Sequence, residues 1–185
     1  MACIVLTWWL PARPPRDLMR LPMVVLKNIL VASDFGEPSA VAMAYGRDLA
    51  RSYNATLHVL HVVEDVMMRY SPEVGFAIPD LQRDLEKAAK RDLEASITED
   101  DRKTLKVVEV VQTAFNVPGG VTEYARANAI DLIVVGTHGR GAVKQLLLGS
   151  AAERIVRTAP CPVLAVRAHE RDFIAPDALV ATAKS

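Results

Sequence analysis

The chain has 185 residues, and its 22 Lys and Arg side chains balance its 22 Asp and Glu. That balance excludes a global field for nucleic acid or an anionic membrane, so neither is expected as a partner. An apolar share of 51% beside 24% charge excludes a disordered chain and predicts one globular domain with room for a sizeable core. Two cysteines, Cys3 and Cys161, make neither a disulfide framework nor a metal cluster, so a reduced, cytoplasmic setting is expected and no metal site is predicted.

Residues 1–22 look foreign to the rest of the chain. Ile4-Val5-Leu6-Thr7-Trp8-Trp9-Leu10 is apolar but too short to span a bilayer, and Pro11, Pro14 and Pro15 then break any regular element. Arg13 and Arg16 come after the apolar core instead of preceding it, which argues against a secretory signal. The reading is an N-terminal extension over 1–22, a folded domain over 23–168 and a C-terminal tail over 169–185. An interfacial anchor through Trp8 and Trp9 is the competing reading of the extension.

A first strand is predicted over 24–33, ending in Val31-Ala32-Ser33-Asp34-Phe35. Pro38 suits the start of a helix running to about 52, with Ala40, Val41, Ala44, Tyr45 and Leu49 at helical spacing. A second strand over 55–63 carries His58 and His61 among valines and leucines, where histidines are more often structural than ligating. Residues 64–79 show no period and read as a loop. A helix over 80–97 places Leu81, Leu85, Ala88, Ala89 and Ile97 on one stripe, with Glu86 able to pair with Lys90. A third strand over 105–111 leads to a helix over 118–128 with Val121, Tyr124 and Ala125 inward, then a fourth strand over 130–135 and a fifth over 162–166. Strands alternating with helices in this way predict a doubly wound α/β domain with a parallel sheet and helices on both faces.

The chemistry concentrates after the fourth strand, in Gly136-Thr-His-Gly-Arg-Gly-Ala-Val-Lys-Gln-Leu-Leu-Leu-Gly149-Ser150. Gly136 and Gly141 have P-loop spacing, but Ala142-Val143 stands where Lys-Ser/Thr is required. Gly139-Arg140-Gly141 begins a dinucleotide fingerprint, but Lys144 occupies the third glycine position. Ser150 and Glu153 have the spacing of a capping box, and a helix opening there offers N–H groups and a positive dipole end to an anion. A glycine turn before a capped helix is also ordinary structure, and the cap alone would account for Ser150.

The run Gly136, two residues, Gly139, nine residues, Gly149-Ser150 resembles the nucleotide loop of the universal stress protein family, with the likeness extending over about residues 24–167. The resemblance implies a five-stranded parallel sheet of order 3-2-1-4-5, whose strands 1 and 4 part at their carboxyl ends to leave a crevice. It implies ATP as the ligand, with Mg2+ held chiefly through the phosphates. It implies that Asp34 accepts hydrogen bonds from the adenosine part, that Ala32 stands at the adenine wall where many members carry proline, and that the backbone at Val59 meets adenine. On the residues alone, Asp34 also reads as a turn or helix-capping aspartate before Gly36, and the Val59 side chain as core. Gly136 would flank the ribose; Gly139, Gly149, Ser150 and the Ala151 N–H would hold phosphates, with Arg140 reaching the terminal one. Pro162-Val163-Leu164-Ala165-Val166 would then be an apolar sheet edge through which a homodimer forms, as members of the family commonly do.

The function expected on these grounds is an ATP-binding stress-response sensor or switch with little or no catalysis and no catalytic residues singled out, weak ATP hydrolysis being compatible with it. An ATP-consuming enzyme is the alternative. The loop Ala32-Ser33-Asp34-Phe35-Gly36 lacks the Ser-Gly-Gly-x-Asp-Ser sequence of pyrophosphatase-type relatives, and His138 has no evident triad partner. A dimeric module with an empty crevice is the third class, and the intact glycine loop speaks against it.

Overall fold

The computed structural model describes residues 24–66, 78–137 and 149–167. Its elements run β1 (Asn28–Ala32), α1 (Glu37–Tyr53), β2 (Thr56–Glu64), α2 (Ile78–Ser96), α3 (Glu99–Thr104), β3 (Lys106–Ala114), α4 (Val117–Ala127), β4 (Leu132–Gly136), α5 (Ser150–Thr158) and β5 (Val163–Val166). The five strands form one parallel sheet in the order β3-β2-β1-β4-β5, as expected.

The sheet is covered on both faces, which is why its central strands are apolar on both. Ile29, Val31, Leu57, Val59 and Val134 pack beneath α1 and α2, with Met43, Leu93 and Ile97. Leu30, Leu60, Val62, Ile133 and Val135 pack beneath α4 and α5, with Val121, Ala125 and Ile155. The register sets Val31 beside Val59 and Val134, and Ala32 beside Leu60 and Val135. Successive residues of a strand serve opposite faces.

Helix ends follow local chemistry. Gly36 precedes α1, Pro38 sits in its first turn, and Asn54 ends it in the left-handed conformation (φ 51°). Asn116 caps α4 by accepting the Gly119 N–H at 2.8 Å. At the start of the sheet, Asp131 Oδ2 accepts the N–H groups of Lys27 and Asn28 at 2.7 and 2.9 Å. Val24 and Val25, expected in strand 1, therefore lie outside β1 and are exposed.

The α2 stripe is corrected. Leu81 and Leu85 are 48% and 40% exposed, and the inward line is Gln82, Glu86, Ala89, Leu93 and Ile97. The first turns of α2 lie against the polar end of β3. There Gln82 and the Thr113 hydroxyl both donate to Glu86 Oε1, at 3.1 and 2.6 Å. Glu86 is thus turned to Thr113 instead of to Lys90, which reaches Glu94 at 4.0 Å. These bonds hold the Glu86 carboxyl below the usual carboxylate range.

Helix α3 was not expected. Thr98 Oγ1 accepts the Asp101 N–H at 3.1 Å, and Asp101 Oδ2 accepts the Thr98 N–H at 2.9 Å, a reciprocal cap. Asp101, 1% exposed, also receives Arg47 Nε at 2.9 Å on each oxygen, while Arg47 donates to the Ser96 carbonyl at 2.8 Å. One buried carboxylate thereby ties α3 and the end of α2 to α1.

Candidate functional site

β1 leads into α1 on one face of the sheet, whereas β4 leads towards α5 on the other. Neighbouring strands whose chains depart to opposite faces leave a crevice at their carboxyl ends, the usual place for a ligand in this architecture. It is present here, with a volume of about 410 Å3, within the range of small-molecule sites. Leu60, Val62, Val121 and Val135 give it an apolar floor, Asp34 lies on one rim, and Gly149, Ser150 and Ala151 lie on the other.

The structure brings six of the expected site residues to this crevice: Ala32, Asp34, Gly136, Gly149, Ser150 and Ala151. Gly139 and Arg140, like His138, lie outside the described residues. The Val59 side chain is wholly buried on the opposite face beneath α1, core as expected, and only its backbone was expected at the ligand. The residues of β2 that line the crevice are Leu60 and Val62, which the sequence did not single out. Alternation along β2, set against the β1 register, is the signal that separates them from Val59.

Asp34 sits in a tight turn after β1. Its Oδ1 accepts the Gly36 N–H at 3.0 Å, an Asx turn, and Ser33 Oγ accepts the Phe35 N–H at 3.1 Å. The turn is tied to the sheet, since the Ser33 N–H donates to the Leu60 carbonyl at 2.9 Å.

Gly136 lines the crevice, as expected of a residue beside the ligand, and it also has a packing role. A Cβ on it would lie 2.7 Å from the Pro38 carbonyl carbon and 2.9 Å from the Pro38 carbonyl oxygen. The glycine lets β4 pass against the first turn of α1, and so sets how closely the two walls of the crevice meet. Thr137, also overlooked, is buried and holds the other wall. Its N–H donates to the Val166 carbonyl at 2.8 Å, and its carbonyl accepts the Gly149 N–H.

The capping box at α5 is corrected. Gly149 is the N-cap, with extended backbone (φ −57°, ψ 147°) and no side-chain cap, and Ser150 is the first helical residue. The Glu153 N–H donates to the Gly149 carbonyl at 2.9 Å, and the Glu153 carboxylate pairs with Arg157 at 2.9 Å instead of turning back to the cap. The first N–H groups of a helix have no partner within it, and here they open on the crevice beside the positive end of the dipole.

The strand histidines have structural partners, as expected. His58 Nδ1 shares a 2.9 Å hydrogen bond with the Tyr124 hydroxyl, and burial pulls the His58 pKa below its ordinary value. His61 Nδ1 lies 2.8 Å from the Ser33 carbonyl. Cys161 is half-buried, and burial first, with the charge of Asp131 adding to it, pushes its thiol pKa up. No group of three or more His, Cys, Asp or Glu side chains is arranged to hold a metal among the described residues. No helix among them is long and apolar enough to cross a membrane.

Comparison with known proteins agrees with this geometry. Universal stress protein A homolog 1 of Coxiella burnetii is 39% identical over 142 residues, covering 76% of this chain and 95% of that one. The solved structure of a universal stress protein from Lactobacillus plantarum superposes with a TM-score of 0.69 at 25% identity, covering 78% of this chain and all of that one. Two more distant structures share the fold: a universal stress protein in complex with cAMP (TM-score 0.53, 21% identity, covering 78% of this chain and 98% of that one) and one from Archaeoglobus fulgidus in complex with dAMP (TM-score 0.55, 16% identity, covering 78% and 99%). With the profile of the Universal stress protein family matching residues 26–167, the chain belongs to that family.

Proposed function

We propose that this protein binds ATP in the crevice between the carboxyl ends of β1 and β4 and acts as a stress-response sensor or switch with little or no catalysis. The observation that carries the reading is the meeting of two unlike rims over an apolar floor: the Asp34 turn on one side and the N-terminus of α5 on the other. A carboxylate suits the hydroxyl and amine donors of a nucleoside, and a helix N-terminus suits phosphate. The cAMP and dAMP complexes of related folds support an adenine nucleotide as the ligand class. Mg2+ enters with the phosphates, since that ion keeps its waters and needs few protein ligands. The protein works in the cytoplasm as a homodimer paired through β5, the apolar strand at one edge of the sheet.

Titration calorimetry with ATP-Mg2+, run beside AMP, tests the ligand. Saturable binding of ATP that weakens with the triphosphate removed supports the reading, and heat no greater than dilution overturns it. Incubation with ATP-Mg2+ followed by chromatography for ADP tests the level of catalysis; rapid steady turnover would shift the reading to an ATP-consuming enzyme. Light scattering that returns a monomer mass at micromolar concentration removes the dimer.

A further inference from the structure

Phe35 follows Asp34 with φ 60°, in the left-handed region that a bulky side chain enters only when its surroundings force it to. Its ring stacks on His61 of β2, with centroids 4.5 Å apart and planes 20° from parallel. The same imidazole places Nδ1 2.8 Å from the Ser33 carbonyl. A carbonyl only accepts, so Nδ1 carries the proton and donates. His61 therefore grips the residues on both sides of Asp34, Ser33 by a hydrogen bond and Phe35 by stacking. It does so from a strand paired on both sides, with His61 itself beside Val111 of β3. Ser39 Oγ closes the turn by donating to the Gly36 carbonyl at 2.9 Å.

The geometry points to His61 and Phe35 as a positioning pair that fixes the strained turn at residues 33–36, so that Asp34 is held ready at the rim of the crevice for the nucleoside end of the ligand. This rests on the nucleotide reading above. Neither ring touches the ligand; both act through Asp34. A turn released from the pair spends only part of its time in the competent shape, and affinity falls by that fraction, about tenfold for a one-in-ten population.

The test is a double-mutant cycle read by calorimetry with ATP-Mg2+. His61→Leu removes hydrogen bond and stack together and is expected to weaken binding about tenfold. His61→Asn sets an amide donor where Nδ1 stood and is expected to recover part of the loss. Phe35→Leu keeps the bulk and the His61 hydrogen bond, removes the stack, and serves as the second variant should His61→Leu not fold. In an Asp34→Ala background either substitution is expected to change affinity by less than about twofold, because the residue it acts through is gone. Equal losses in both backgrounds, or full affinity in a folded His61→Leu protein, overturn the proposal. If the parent protein takes up no ATP, the ligand assignment fails instead. Amide exchange at Phe35 and Gly36 then decides the pair: about tenfold faster exchange in His61→Leu upholds the pinned turn, and unchanged exchange overturns it.

Discussion

Replacing Gly136 by Ala separates packing from ligand contact at the centre of the crevice. The added Cβ would lie 2.7 Å from the carbonyl carbon of Pro38 and 2.9 Å from its oxygen and its Cβ. All three atoms belong to a proline in the first turn of α1, so no flexible side-chain end can swing away. Either β4 or the start of α1 must shift by several tenths of an ångström. Overpacking of this kind costs about 1–3 kcal/mol. Reduced freedom of the unfolded chain returns about 0.4–1 kcal/mol, since Gly136 has no positive φ for alanine to resist. The clash wins, and a net loss of about 1–2 kcal/mol lowers the melting temperature by roughly 2–8 °C in a domain of this size. Thermal melts followed by circular dichroism measure it, with ATP-Mg2+ titration alongside. Affinity is expected to fall with stability, because the walls of the crevice move with the packing. A Gly136→Ala protein melting at or above the parent temperature refutes the argument. Lost affinity at unchanged stability would show that the glycine serves the ligand directly.

Gly149→Val is expected to behave in the opposite way. The backbone at Gly149 (φ −57°, ψ 147°) is open to valine, so melting should hold while ATP affinity drops by about two orders of magnitude or more through lost phosphate hydrogen bonds. Asp101→Asn leaves Arg47 without its buried carboxylate and is expected to cost about 3 kcal/mol or more in chemical denaturation. For the parent Asp101, burial raises the pKa, but the Thr98 and Arg47 hydrogen bonds outweigh it and the net shift is downward. Its contribution is therefore complete above about pH 4 and lost as pH falls through the lowered value. Burial lowers the His58 pKa from 6.5, so the unfolded chain takes the proton first. Stability is full above pH 6.5 and declines below it, and His58→Gln is expected to flatten that part of the melting-temperature profile between pH 7 and 5.

Much of this was legible because parallel strands buried on both faces leave long apolar runs, and because β1 and β4 end in recognisable turn chemistry. What escaped the sequence depended on a partner. The Val59 side chain reads as core and is core, but Leu60, equally apolar on the same buried strand, is marked as a crevice residue only by its register against Ala32. Leu81 and Leu85 complete a helical stripe on paper. The face of α2 that packs is set by Thr113, a polar residue of β3, so Gln82 and Glu86 turn inward instead. Helix α3 carries its signal openly in Thr98-x-x-Asp101, yet six residues fall below the length at which periodicity speaks. The stability of so short a helix comes from Arg47, 54 positions away from Asp101 in sequence. Gly136 heads a glycine motif that points to a ligand, while the packing it also serves is invisible in sequence because the proline it accommodates lies on another element.

The two rims of the crevice are fixed by separate sets of bonds, and that separation bears on the class of ligand. The α5 rim is anchored through Thr137, whose N–H binds β5 and whose carbonyl receives Gly149, so the helix terminus is set against the sheet at both ends of one residue. The β1 rim is anchored through Ser33 to β2, by its N–H to Leu60 and its carbonyl to His61. Ala32 and Val135 are register partners on adjacent strands, so the rims begin about 5 Å apart and diverge to opposite faces of the sheet. A free phosphate could satisfy the helix terminus alone and would gain nothing from Asp34 or from the apolar floor. A nucleoside without phosphate would leave the helix terminus unused. The nucleotide proposed above would offer donors to Asp34, a flat base to the apolar floor and an anion to the helix terminus, and so meet all three surfaces at once. For that reason the comparison of ATP with AMP, adenosine and inorganic phosphate is the informative one. Affinity is expected to rise well beyond either part alone, because joining the parts spares the entropy of a second association. Equal affinity for adenosine and ATP would show that the helix terminus takes no phosphate.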